Sequence, residues 1–354
     1  SCYIHIPFCN NICSYCDFCK MYYNKDFIDK YLLSLEKEIN LYYKNDLLNT
    51  LYIGGGTPSC LDEISLKKLF KIISIFKLNK TYEFTFECNI EDINEKLLIF
   101  LKENKVNRIS IGLQSFNKKY IEFMNRKYLN KKEITDKINL VKKYFNNINI
   151  DLIYGINNET LKELQEEVDS FINLDVNHIS LYSLILEDNT ILKTKKYKEI
   201  DDDLNRKMYD YIRKTLKKNN YIHYEISNFS KKGYMSKHNL CYWNNDNYYG
   251  FGLGSSGFVD NIRYTNTRSL NSYINGNYRY IKEKIDKKRN MEYEMILNLR
   301  KIKGISKKNF YKKYNINIKD VFDVSKLKEN KYYFYIPKKY LFVENYILSD
   351  FILD

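Results

Sequence analysis

Short runs in which apolar residues dominate or alternate with polar ones recur along the chain, and each is followed by a stretch with helical spacing. CYIHI precedes a helical pattern over 27–44, TLYIG one over 65–76, YEFTFE one over 94–104, and RISIG one over 118–145. INIDLIYG is followed by 160–173, HISLYSLI by 201–219, and a short YIHYEI closes the series. Strands alternating with helices in this way predict a parallel sheet covered by helices. Polar residues and glycines recur just after successive strands. An incomplete (βα) barrel is therefore expected over a flat sheet, with the chemistry at its C-terminal strand edge.

Residues 227–270 break the rhythm; rich in Asn, Gly and aromatics, they read as loop. From about residue 290, EYEMILNLRKIKGISKKNFYKKYNI reads as two short helices, and KYYFYIPKKYLFVENYILSDFI as strands and a final helix. The expected organisation is a barrel over 1–225, a connector over 226–289 and a small C-terminal domain over 290–354.

Composition adjusts this picture only slightly. The net charge of +14 raises the question of nucleic acid, but the lysines are scattered among abundant Asn, Ile and 35 tyrosines, so nucleic-acid binding is not expected. The longest apolar runs fall short of the ~20 residues a membrane-spanning helix needs, so a soluble protein is expected. No signal peptide is visible, and the sequence opens on Ser1, which leaves room for a missing N-terminal segment. Five of the eight cysteines crowd into the first 19 residues, unlike a dispersed disulfide framework. A reducing compartment is expected, cytoplasmic or organellar (mitochondrion or plastid).

Cys9, Cys13 and Cys16 form CxxxCxxC directly after the first strand. Thiolates at this spacing can each ligate one iron of a [4Fe-4S] cluster and leave the fourth iron open. The amino and carboxylate groups of S-adenosylmethionine (SAM) can chelate such an open iron. A zinc site or free thiols are the alternatives. Zinc commonly takes four ligands, and no second cysteine pair appears.

Later strands end in polar or glycine signatures. Gly54-Gly55-Gly56-Thr57-Pro58 permits close approach of backbone to a ligand, Glu87 can bind a ribose hydroxyl or an ammonium group, Gln114 and Arg126 follow the fourth strand, and Asp151 opens DLIYG. Each alone reads equally as a turn, a cap or a solvated charge. Together on one barrel rim they would suit a buried polar cofactor.

YIHIPFC, CxxxCxxC, GGGTPS, RISIGLQSF followed by MNRKY, DLIYG, HISLYSL, YEISNF and HNLCYW occur in one order. In this the chain resembles radical-SAM proteins of the coproporphyrinogen-oxidase-like group, most closely the HemW branch. The resemblance implies an incomplete (βα)6 TIM-like barrel with a small C-terminal HemN-type, winged-helix-like α/β domain. It assigns Cys9, Cys13 and Cys16 to the cluster, and Tyr3, Tyr15, Gly55, Gly56, Thr57, Glu87, Gln114, Arg126 and Asp151 to SAM. Three departures stand out: Tyr15 where the oxidases tend to have Phe, MNRKY in place of LxRxH, and no Pro or Gly after the Gly155 turn.

Two functions compete within the group: decarboxylation of coproporphyrinogen III, and binding of heme for delivery to acceptor proteins. Oxidases extend the cluster motif to CxxxCxxCxC; here that position is Phe18, and Cys19 falls one residue late. They also carry an extension before the first motif, whereas this sequence opens almost at the strand. HNLCYW matches the HNxxYW signature associated with heme in the HemW branch, so His238 and Trp243 are the expected heme contacts. The resemblance thus favours a heme chaperone, with a heme-accepting protein and an electron donor as partners. Whether the chain catalyses is left open; if so, it would be a coproporphyrinogen-dehydrogenase-like oxidoreductase. His5, His178 and His223 are expected to be packed or hydrogen-bonded, and Cys2, Cys60 and Cys88 to behave as small buried hydrophobes.

Overall fold

The computed structural model describes residues 1–353. Six parallel strands run in sequence order: β1 (Cys2–Ile6), β2 (Leu47–Gly55), β3 (Lys77–Asn89), β4 (Arg108–Gln114), β5 (Ile148–Tyr154) and β6 (His178–Ser183). The crossovers carry helices α1 (Lys25–Tyr42), α2 (Glu63–Ile73), α3 (Glu95–Glu103), α4 (Lys131–Tyr144) and α5 (Leu161–Asn173), with α6 (Asp202–Lys218) after β6. Each helix starts where a short polar side chain caps a free backbone amide: Asn24, Asp62, Asn94, Asn130, Thr160 and Asp201 accept from the third residue on. Asn130 and Thr160 complete capping boxes with Glu133 and Glu163.

The alternation inside the strands decides which side chains meet a ligand. On β4, Ile109, Ile111 and Leu113 are buried in the apolar core, while Arg108, Ser110, Gly112 and Gln114 line the barrel interior. Each such apolar side chain contributes about 1.5–3 kcal/mol by leaving water. Register then aligns the interior residues: Glu87 pairs with Ser110, Gly112 with Asp151, and Asp151 with Ser180.

After β6 come β7 (Ile222–His223) and β8 (Asn228–Ser230), with β8 antiparallel to both β6 and β7. At the opposite edge β9 (Tyr249–Phe251) pairs in parallel with β1. The two edges do not pair with each other, so the barrel stays open.

Two local expectations are corrected. The single helix over 118–145 is two, Lys118–Phe123 and α4, because Asn125 at φ 55° ends the first and the chain loops through Arg126. The loop expected over 227–270 instead holds β8, β9, helix α7 (Lys237–Trp243) and strands β10 (Ser256–Val259) and β11 (Ile262–Asn266), which with β12 (Arg279–Lys284) form an antiparallel sheet. HNLCYW therefore lies on a helix, capped by the Ser236 hydroxyl. Further on, α8 (Lys287–Leu299) and α9 (Lys307–Tyr314) accompany a small antiparallel sheet of β13 (Ile305–Ser306), β14 (Lys328–Glu329) and β15 (Tyr333–Tyr335). Among the described residues, no helix is long and apolar enough to cross a membrane.

Candidate functional site

A cavity of about 360 Å³ opens at the C-terminal edge of the strands. Cys9, Cys13 and Cys16 line it, and all eight cysteines of the chain are free thiols. The loop that carries them is fixed by backbone bonds: the Gly56 and Thr57 amides donate to the carbonyls of Ile6 and Phe8, each at 2.8 Å. Thr57 also turns its hydroxyl to the Cys9 sulfur at 3.5 Å. A Cβ on Gly56 would stand 2.8 Å from that sulfur, so only glycine lets the strand pass beneath it. Burial pushes the Cys9 thiol up to about 11, so ionisation there needs a cation or metal alongside.

The polar rim closes over the same cavity. Glu87 accepts from the Tyr52 hydroxyl at 2.6 Å and from the Gly55 amide at 3.0 Å, and burial raises its carboxyl to about 7. Arg126 donates to Asn89 Oδ1 and to the Gly112 carbonyl, both at 2.9 Å, and to the Cys13 sulfur at 3.7 Å. Asp151 accepts from Asn149 at 2.9 Å, and its carboxyl too is raised by burial. Gln114, at φ 71°, ends β4 with its Oε1 buried and without a partner. Tyr15, Gly55, Gly56, Thr57, Glu87, Gln114, Arg126 and Asp151 thus meet around one space. Tyr3 is the exception: it lines an adjoining cavity and shares a 3.0 Å hydrogen bond with His5 Nδ1.

That second cavity, about 490 Å³, has aromatic walls of Tyr3, Tyr52, Tyr242, Trp243 and Tyr248, and it holds Cys19 and His238. Phe18, Tyr52, Glu87 and Asn239 belong to both cavities, so the two adjoin. His238 is not an open imidazole. Its Nδ1 lies 2.7 Å from the Thr50 hydroxyl, its Nε2 2.7 Å from the Tyr242 hydroxyl, and burial lowers its pKa to about 3. Trp243 brings an indole Nε1 that is buried without a partner. The other histidines are packed as expected: His5 Nε2 lies 2.6 Å from the Cys19 carbonyl, and His178 is held between Asn149 and Tyr224.

Cys9, Cys13 and Cys16 all line the one cavity, and three thiolates there would suit a cubane, which spreads its ligands over separate irons. The unpaired Gln114 oxygen is open to a polar ligand, and the Gly55–Thr57 backbone, its amides already bonded to Glu87, Ile6 and Phe8, lines the same cavity. Sequence reasoning missed Tyr52, Asn89, Asn149 and Arg108, all lining the first cavity. The signal was present: they sit at alternating strand positions in phase with Glu87, Ser110 and Asp151.

An open parallel barrel with three free thiols in the loop after its first strand defines a radical-SAM protein. The Radical SAM superfamily model matches residues 3–171, and this implies a [4Fe-4S] cluster and SAM as cofactors. More narrowly, the chain belongs to the HemW family. It is 38% identical to the "Heme chaperone HemW" of Lactococcus lactis, over 91% of this chain and 87% of that protein. It is also 38% identical to the "Heme chaperone HemW" of Bacillus subtilis, over 91% of this chain and 89% of that one. The solved coproporphyrinogen III oxidase (HemN) from Escherichia coli shares the fold, with a TM-score of 0.86 and 19% identity over 99% of this chain and 89% of that chain.

Proposed function

We propose that this chain is a heme chaperone: it binds heme beside a [4Fe-4S] cluster and SAM and hands the heme to an acceptor protein. The observation that carries the reading is the adjacency of the two cavities, one ringed by three thiols and a polar rim, the other walled by aromatic rings. A flat macrocycle suits the second, where stacking on tyrosines and Trp243 removes a large apolar surface from water.

In this reading Cys9, Cys13 and Cys16 hold the cluster, and Arg126 keeps positive charge beside the Cys13 sulfur. Tyr15, Gly55, Gly56, Thr57, Glu87, Gln114 and Asp151 receive SAM, and Tyr3 backs Tyr52 from the aromatic side. When bound, the cluster and SAM supply one-electron cleavage of a sulfonium. His238 and Trp243 contact heme, and iron ligation by His238 requires the Tyr242 hydroxyl to move away. The reading keeps a barrel over 1–225, a connector over 226–289 carrying HNLCYW and a C-terminal domain over 290–354, in a reducing compartment with an electron donor.

Anaerobic reconstitution with iron and sulfide, followed by heme titration and a coproporphyrinogen III decarboxylation assay with SAM and a reductant, tests it. Stoichiometric heme binding without decarboxylation is expected. Conversion to protoporphyrinogen at a useful rate would replace the chaperone with an oxidase.

A further inference from the structure

We propose that Arg108 is a receptor for a carboxylate of the bound tetrapyrrole, deep in the barrel interior; the inference rests on the heme reading above. Arg108 is 2% exposed and lines the first cavity. It makes no hydrogen bond and no ion pair with any described residue, and its Nε is buried without a partner. A buried guanidinium in that state is costly, and native structures almost always satisfy it with a ligand, an ion or water. Thr85, the residue in register with it on β3, is fully buried, and its hydroxyl is also unpartnered. An oxyanion reaching this end of the first cavity could accept from the Arg108 guanidinium, in a charge-assisted pair shielded from water.

The carboxylate of SAM is the competing source. Arg126 already serves the cluster end of the cavity, bonded to the Gly112 carbonyl and facing the Cys13 sulfur. Arg108 lies four residues earlier on β4, about 13 Å along the strand at ~3.3 Å per residue. The single carboxylate of SAM cannot chelate at the cluster and also reach that depth. A tetrapyrrole carries propionates on flexible arms at one edge of a large ring. Arg108 lines the first cavity, which shares Phe18, Tyr52, Glu87 and Asn239 with the aromatic one, so an arm leaving the aromatic cavity would enter the space Arg108 lines.

The test compares heme with its dimethyl ester, in which both propionates are neutral, on the reconstituted protein and on Arg108→Met and Arg108→Lys, with SAM binding and cluster absorption measured alongside. Wild type should bind the ester roughly tenfold more weakly than heme. Arg108→Met should lose that discrimination while keeping cluster and SAM, and Arg108→Lys should recover part of it. Equal binding of heme and ester by wild type overturns the inference without a variant having to fold. So does a loss confined to SAM, which assigns Arg108 to the methionine carboxylate. Failure of wild type to bind either porphyrin overturns the heme reading, and this inference with it.

Discussion

The Tyr242 hydroxyl stands 2.7 Å from Nε2 of His238, one helical turn earlier on α7, and so occupies the nitrogen that a heme iron would need. Tyr242→Phe should uncover Nε2 and tighten heme binding several-fold, whereas His238→Ala should weaken it roughly tenfold and leave cluster absorption intact. The alanine variant should also lose about 2 kcal/mol of stability, because the Thr50 hydroxyl loses its partner and a cavity opens in a buried site. Heme titration with thermal melts checks both. Unchanged heme affinity in the two variants would leave His238 a packing residue.

The cysteines of the first loop should separate by cavity. Cys16 lines the first cavity with Cys9 and Cys13, while Cys19 lines the second, its thiol 3.9 Å from the Arg268 carbonyl. Cys16→Ala should abolish the broad iron–sulfur absorption after reconstitution, and Cys19→Ala should leave it largely unchanged. Equal loss from both would put Cys19 among the ligands.

Gly56→Ala should act like the loss of a ligand although it removes no sulfur. The added methyl would fall 2.8 Å from both the Cys9 sulfur and the Phe8 carbonyl, and neither can retreat, because the Thr57 amide holds that carbonyl. Iron content after reconstitution should drop well below one cluster per chain while the fold persists by circular dichroism. Full iron loading would show that the cradle yields.

The sequence made the barrel legible because two periods alternate along it: near two in the strands and 3.6 in the helices. Helical spacing that runs through 118–145 hid the break at Asn125, where one residue with positive φ ends a helix without disturbing the apolar pattern. β9 was invisible because three residues carry no period; what makes them a strand is pairing with β1, a contact across some 245 positions of chain. The cysteine loop and the rim residues stood out as motifs, yet the depth of each residue did not. Tyr3 faces the interior like His5, and both line the aromatic cavity rather than the first. In the sequence Arg108 is only the first residue of RISIG. Only the fold reveals that this start is buried and unpaired.

Glu87 should make SAM binding depend on pH. Burial lifts its carboxyl to about 7, so near neutrality a fraction of the protein carries it protonated and loses the charge that would attract a sulfonium or ammonium group. SAM affinity should rise with pH through about 7 and be about tenfold weaker at about pH 6 than at its plateau. Glu87→Gln should bind weakly with a flat profile. A flat wild-type profile would mean that Glu87 stays ionised throughout or does not contact the ligand.

A pair of buried carboxyls should make stability fall as pH rises from the ordinary carboxylate range to about 8. Glu225 and Glu344 are both buried; Arg300 pairs with Glu344 at 3.1 Å, while Glu225 Oε1 and Glu344 Oε2 have no partner. Burial raises Glu225 to about 7 and Glu344 to about 8. A carboxyl whose folded pKa lies above its unfolded value stabilises the fold most when protonated. Its contribution is complete below the ordinary carboxylate range and is lost as pH rises through the folded value. Tm should therefore decline as pH rises from about 4.5 to about 8 and level off above that, and Glu344→Gln should decline less, since a neutral amide can still accept from Arg300. The difference between the two curves isolates this pair from other titrating groups. Parallel curves would mean that Glu344 is ionised across the whole range.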